Sequence, residues 1–199
     1  MLLQGNLKFH PKWETKKVVK YNSSFLFHDT AYGCGGRMAM LLYPAVALLW
    51  PKLDGKVLIV GPRTEDDIFF AKALGLKNPI GLDLFSYSPL IQVGDAHRTL
   101  FKNSSIDLVI VGWVLPYTEK PGVLIQEMLR ILRPDGYLGF SWLEVLEGDS
   151  LKSDQNRANL LNKKQEILDL LRLPRTKKIL HLETVVDNGK NHAYFIKKH

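Results

Sequence analysis

The chain's 199 residues, 46% apolar and 24% charged, suit one globular domain and exclude a disordered or fibrous class. A single cysteine, Cys34, excludes an intrachain disulfide framework and a cysteine-rich metal site, and fits a reducing compartment. The formal charge of +7 sits in the flanks: residues 1–56 carry 8 Lys/Arg against 3 Asp/Glu, residues 151–199 carry 11 against 5, and residues 57–150 carry 8 against 12. Basic flanks leave a nucleic-acid or anionic-glycan partner open. Lysines that only solvate the surface are the favoured reading, because no Arg-rich or aromatic-interleaved patch stands out.

Residues 1–36 mix charge with isolated aromatics, and Val18-Val19 hints at a short strand. The cluster Tyr32-Gly33-Cys34-Gly35-Gly36 is either a hinge at a ligand or a plain linker. This segment is set apart as an N-terminal extension or lid, with residues 37–199 as one domain. Arg37 to Trp50 has no polar face, which predicts a buried helix. Its 13-residue apolar stretch from Met38 to Trp50, broken by Pro44, is too short to span a bilayer. The N-terminus lacks a basic-then-apolar leader, so the expectation is a soluble, cytoplasmic protein.

Four short apolar runs follow: Val57 to Val60, Pro79 to Asp83, Ile91 to Val93 and Ile106 to Val111. Runs of this kind predict parallel strands buried on both faces. Ligands of such sheets sit beyond the carboxyl ends of the strands. Those ends carry Gly61, Asp83, the Gly94-Asp95-Ala96-His97 passage and Gly112-Trp113. Between the first two runs, Asp66 to Leu74 predicts a helix with acidic residues in its first turn and Gly75 as its stop. Only seven residues separate Asp83 from Ile91, too few for an ordinary crossover helix. Pro121 to Arg133 is the clearest amphipathic helix, with Leu124, Met128 and Leu132 on one face and Ile125 and Leu129 beside them. Pro134-Asp135-Gly136 stops it before a fifth strand, Tyr137 to Trp142. Leu143 to Ser150 reads as a loop and Ser153 to Leu171 as a helix. The tail holds two β-like runs, Lys178 to Val186 and Asn191 to Lys197, joined by Asp187-Asn188-Gly189-Lys190. Asn-Gly between such runs is a strong hairpin signal.

Two passages carry a family resemblance. Val93-Gly94-Asp95-Ala96-His97-Arg98-Thr99-Leu100-Phe101, continuing through Ser104-Ser105-Ile106-Asp107-Leu108-Val109, is similar to the "GDA-x-x-LPF-x-x-x-SFD-x-V" passage of the class I S-adenosylmethionine-dependent methyltransferases. Gln126-Glu127-Met128-Leu129-Arg130-Ile131-Leu132-Arg133-Pro134-Asp135-Gly136 is similar to their "E-x-x-R-V-L-K-P-G-G". The resemblance covers Lys56 to Lys198 and implies an α/β, Rossmann-like, seven-stranded methyltransferase sheet. That sheet is mostly parallel, with a C-terminal antiparallel hairpin and helices on both faces. It implies S-adenosylmethionine as cofactor. Asp83 would accept from the ribose hydroxyls and Asp95 from the adenine amine, while the Ala96 amide donates to a ring nitrogen. Leu84 and His97 would flank the adenine, and Gly112 and Trp113 would line the methionine and substrate side.

The first loop departs from the family's acidic residue followed by G-x-G-x-G. Here Ile59-Val60-Gly61-Pro62-Arg63-Thr64-Glu65 keeps only Gly61 and Thr64. Ile59 takes the acidic position, and Arg63 and Glu65 take two glycine positions. Either Arg63 pairs with the cofactor's carboxylate and Glu65 or Asp66 with its ammonium, or the site is blocked. No G-x-G-x-x-G follows the first strand, which weakens a nicotinamide reading.

The function implied is methyl transfer to a small molecule or a glycan unit, mainly by alignment. If the acceptor is a hydroxyl, a base is needed as well, with His28, Tyr32, Tyr87, Tyr117 and Glu144 as candidates. Nucleic acid is not the favoured acceptor, since Gly112-Trp113-Val114-Leu115-Pro116-Tyr117 stands in place of the family's Asn/Asp-Pro-Pro-Tyr motif. The alternative is an inactive methyltransferase fold that binds RNA, an anionic polymer or a protein partner through its basic flanks. His181 and His192 are assigned to surface or packing roles, and no metal site is expected.

Overall fold

The computed structural model describes residues 7–12, 16–24, 38–118, 120–145, 169, 174–186 and 189–199. The 33–36 glycine cluster, His28, Tyr32, residues 146–150, all of the expected 153–171 helix except Asp169, and Asp187-Asn188 lie outside these.

The elements in order are β1 (Lys8–Phe9), α1 (Lys17–Ser24), α2 (Ala39–Leu49), β2 (Lys56–Val60), α3 (Asp66–Ala73), β3 (Asn78–Asp83), β4 (Phe85–Ser86), β5 (Ile91–Val93), β6 (Ile106–Gly112), a 3-10 turn (Leu115–Tyr117), α4 (Pro121–Ile131), β7 (Leu132–Val145), β8 (Thr176–Val186) and β9 (Gly189–Lys198). One sheet of seven strands runs β5-β3-β2-β6-β7-β9-β8. The first five are mutually parallel, and β9 pairs antiparallel with both β7 and β8.

Strand alternation divides the core in two. Leu58, Val60, Val109, Val111, Leu138, Phe140, Trp142 and Tyr194 face α4, which buries Leu124, Ile125, Met128 and Ile131 against them. Val57, Ile59, Leu108, Ile110 and Phe195 face α2 and α3. Burial on both faces is why the central runs show no polar alternation. Gly139 lets β7 pass the Phe195 ring, since a Cβ there would meet Cε1 at 2.5 Å.

Four expectations need correction. Val18-Val19 lies in α1, where Val19 packs on Phe85; the tertiary contact outweighs β-branched strand preference. The all-apolar α2 is buried on one side only. Leu41, Leu42, Ala45 and Leu49 face the sheet, and Tyr43 remains 59% exposed. Leu143 to Val145 continues β7 by pairing with Asn191, Lys190 and Gly189. The fifth strand also begins early: Leu132 already pairs with Ile106, and Pro134 to Gly136 bulges out before Tyr137 rejoins at Leu108. The helixless connection after β3 holds β4, which pairs with β1.

Candidate functional site

The carboxyl ends of β2, β3 and β6 and the loop after β5 open into one cavity of about 910 Å³, counting the solvent at its mouth. Of the residues singled out above, Gly61, Arg63, Asp83, Leu84, Asp95, Ala96, His97, Gly112 and Trp113 line it. Pro62 and Thr64 do not; nor do Glu65 and Asp66. Pro62 is buried against Gly81, where a Cβ would lie 3.1 Å from its ring. The Thr64 hydroxyl donates to Asp66 at 3.2 Å.

The altered first loop is held by the first acidic residue. Gly61 has φ 73° and Arg63 φ 60°, so both occupy the left-handed region, where a non-glycine residue costs about 1–2 kcal/mol. The Asp83 carboxylate accepts the Arg63 amide at 3.1 Å and the Leu84 amide at 2.7 Å, which offsets that strain. The Arg63 guanidinium donates to Asn22 of α1 at 2.7 Å. Val19 and Asn22 therefore bring the N-terminal segment to the cavity wall, a role the sequence does not announce.

Across the cavity, Asp95 Oδ1 accepts the His97 amide at 2.9 Å and pairs with His97 Nδ1 at 2.6 Å. His97 Nε2 meets the Thr118 hydroxyl, which also accepts the Lys120 amide. One assignment satisfies all of these groups: Nδ1 carries the proton toward Asp95, and Nε2 accepts from Thr118. His97 thus pins the loop after β5 to the 3-10 turn after β6.

Trp113 takes φ 55°, and its amide donates to Ser141 at 3.0 Å. Its indole Nε1 is buried with no hydrogen-bond partner among the described residues. An orphaned donor in a cavity wall is what a ligand acceptor would satisfy. Gly112 is equally constrained, because a Cβ would lie 2.6 Å from Sδ of Met38, the residue just before α2. Of the base candidates, Tyr117 lines the cavity and Tyr87 does not. Burial and the Glu65 carboxylate push the Tyr87 phenol above its ordinary range, so it stays protonated. Glu144 is paired with His192 at 2.6 Å.

Strand order 3-2-1-4-5-7-6 by position in the sheet, counted from the first core strand, together with a cavity bearing an acidic residue after each of two neighbouring strands, decides the fold. It is the class I S-adenosylmethionine-dependent methyltransferase fold. Residues 71–140 match the family model described as a methyltransferase domain. The mouse thiol S-methyltransferase TMT1B is 29% identical over 115 residues, covering 58% of this chain. The chain spans 41% of that relative's length. A solved Burkholderia thailandensis 1,6-didemethyltoxoflavin-N1-methyltransferase, with 1,6-didemethyltoxoflavin and S-adenosylhomocysteine bound, is similar with TM-score 0.65 at 16% identity, over 91% of this chain and 87% of that one. A Methanosarcina mazei S-adenosylmethionine-dependent methyltransferase is similar with TM-score 0.62 at 16% identity, over 78% and 97%. The [4+2]-cyclase SpnF is also similar, with TM-score 0.62 at 12% identity, over 92% and 93%. Such a methyltransferase fold therefore also carries a protein named for a different reaction. No described helix is long and apolar enough to cross a membrane.

Proposed function

We propose that the chain is an S-adenosylmethionine-dependent methyltransferase acting on a small molecule. The observation that carries this reading is the opening of Asp83 and Asp95, from the ends of neighbouring strands, onto one cavity. Asp83 would accept from the ribose hydroxyls alongside the Arg63 and Leu84 amides it already holds. Asp95, fixed by His97, would face the adenine amine, with the Ala96 amide donating beside it. Arg63 would meet the cofactor's carboxylate, and Gly112-Trp113 its methionine side. The bound sulfonium supplies an already activated methyl group, so the protein's task is to align the acceptor and exclude water.

The titratable residues among the described cavity wall are Arg63, Asp83, Asp95, His97 and Tyr117. Asp83 and Asp95–His97 are engaged in the contacts above, which favours an acceptor that gives up its proton readily. A thiol, with an ordinary pKa of about 8.5, is such a group. A sugar hydroxyl on a glycan unit would ask more of Tyr117. The single cysteine fits a reducing, cytoplasmic setting.

Titration calorimetry with S-adenosylhomocysteine, followed by an assay of its release with thiol, phenol and sugar acceptors, tests the proposal. Asp83→Asn should weaken binding by about 2 kcal/mol, hence about 30-fold. No heat from the folded parent would leave the non-catalytic reading, in which basic flanks hold an anionic polymer or a protein. The altered Gly61-Pro62-Arg63-Thr64 loop is the observation on that side.

A further inference from the structure

A second cluster of chemistry-bearing side chains lies at the far edge of the sheet, outside the cavity. His181 and Glu183 are two apart on β8 and so share a face, and Glu183 pairs in register with His192 of β9. His192 is fully buried. Its Nε2 meets Glu144 Oε2 of β7 at 2.6 Å. With the proton of Nε2 committed to that carboxylate, Nδ1 presents a lone pair. Nδ1 lies 3.1 Å from His181 Nε2 and 3.6 Å from Glu183 Oε2. Two acceptors, a ring nitrogen and a carboxylate oxygen, therefore converge with a second imidazole, and the three donor atoms lie within 4.8 Å of one another.

We propose that His181, Glu183 and His192 form a binding site for a zinc-type divalent cation, with Glu144 orienting His192. Tetrahedral coordination at about 2.1 Å puts donor atoms about 3.4 Å apart; the two separations from His192 Nδ1 fall on either side of that value, and the third pair lies within 4.8 Å. Two imidazoles and one carboxylate form a borderline-soft set that suits zinc and leaves a fourth position open. The surroundings match what such sites need. Glu144 on the remote nitrogen of His192 is a carboxylate–histidine–metal relay, which fixes the tautomer. Lys190 takes the other oxygen of Glu183 at 2.9 Å, leaving Oε2 turned to the cluster. Trp142 stacks on His192 at 4.8 Å and Tyr194 on His181 at 4.0 Å, so both rings are held in place. The ion would tie β7, β8 and β9 together beside the hairpin turn.

The test uses the full chain without an affinity tag, titrated with Co2+ as a spectroscopic probe and with Zn2+ by equilibrium dialysis. The expected result is one ion per chain with the visible absorption of tetrahedral Co2+, and a higher melting temperature with Zn2+. His181→Ala and Glu183→Gln alter partly exposed positions and should keep the fold; each should remove the Co2+ band and the melting shift. Glu144→Gln should weaken Zn2+ about 10-fold or more. Folded parent protein that takes up neither ion overturns the proposal. So does parent-like affinity in both His181→Ala and Glu183→Gln.

Discussion

The first-loop geometry makes a sharp prediction at Gly61. An alanine there would hold the left-handed backbone at a cost of about 1–2 kcal/mol. Its Cβ would also stand 2.4 Å from Val114 Cγ2, an overlap that a partly buried side chain cannot absorb without moving. Overpacking of that kind costs about 1–3 kcal/mol. Gly61→Ala should therefore lose about 2–5 kcal/mol, or about 10 °C in melting temperature for a chain of this size. Val114→Ala removes the methyl group in the way but not the backbone strain. In the double variant the steric part should be relieved, giving a favourable coupling of about 1–3 kcal/mol. Urea unfolding of the parent, both single variants and the double variant measures this directly. Changes that add within about 0.5 kcal/mol would refute the packing of Gly61 against Val114.

Other perturbations probe the frame around the cavity. Glu127 accepts the Thr99 amide and hydroxyl and two guanidinium nitrogens of Arg130; burial works against its charge, yet these bonds hold its carboxyl below the ordinary value. A depressed folded pKa means stability that is present above the ordinary carboxylate range and lost as pH falls through the lower folded value. Glu127→Gln should thus cost about 1.5–3 kcal/mol at pH 7, with the gap to the parent closing below about pH 4, and a gap constant with pH would contradict this. Lys198 donates to the Leu129 and Leu132 carbonyls at the end of α4, so Lys198→Met should lose about 1–2 kcal/mol by urea unfolding. Thr118→Val leaves His97 Nε2 without its hydroxyl; it should cost about 1 kcal/mol and weaken S-adenosylhomocysteine several-fold in calorimetry, and unchanged affinity would detach His97 from the site.

What the sequence makes legible follows the range of the forces involved. Val57 to Val60 and Ile106 to Val111 announce themselves because both faces of those strands are buried, and the Asn-Gly pair announces the hairpin because turn chemistry is local. Asp83 and Asp95 stand out because they follow directly on such runs. Contacts between distant segments leave no such mark. Asn22 meets Arg63 across 41 positions, and nothing local to Val18-Val19 says that Phe85 will hold it in a helix. The His181–Glu183–His192 cluster depends on register between two strands. Without that register a lone histidine reads as surface or packing. For α2, a uniformly apolar pattern cannot say which side faces the sheet, and Tyr43 ends outside.

The central claim is that one adenosine spans the two acidic strand ends. A crystal structure of the chain with S-adenosylhomocysteine tests it most directly. The account predicts the ribose hydroxyls within hydrogen-bond distance of Asp83 and the adenine amine at Asp95, with Arg63 turned to the amino-acid end. Ligand bound elsewhere, or a cavity filled by Arg63 and Trp113 with no ligand at saturating concentration, would contradict it.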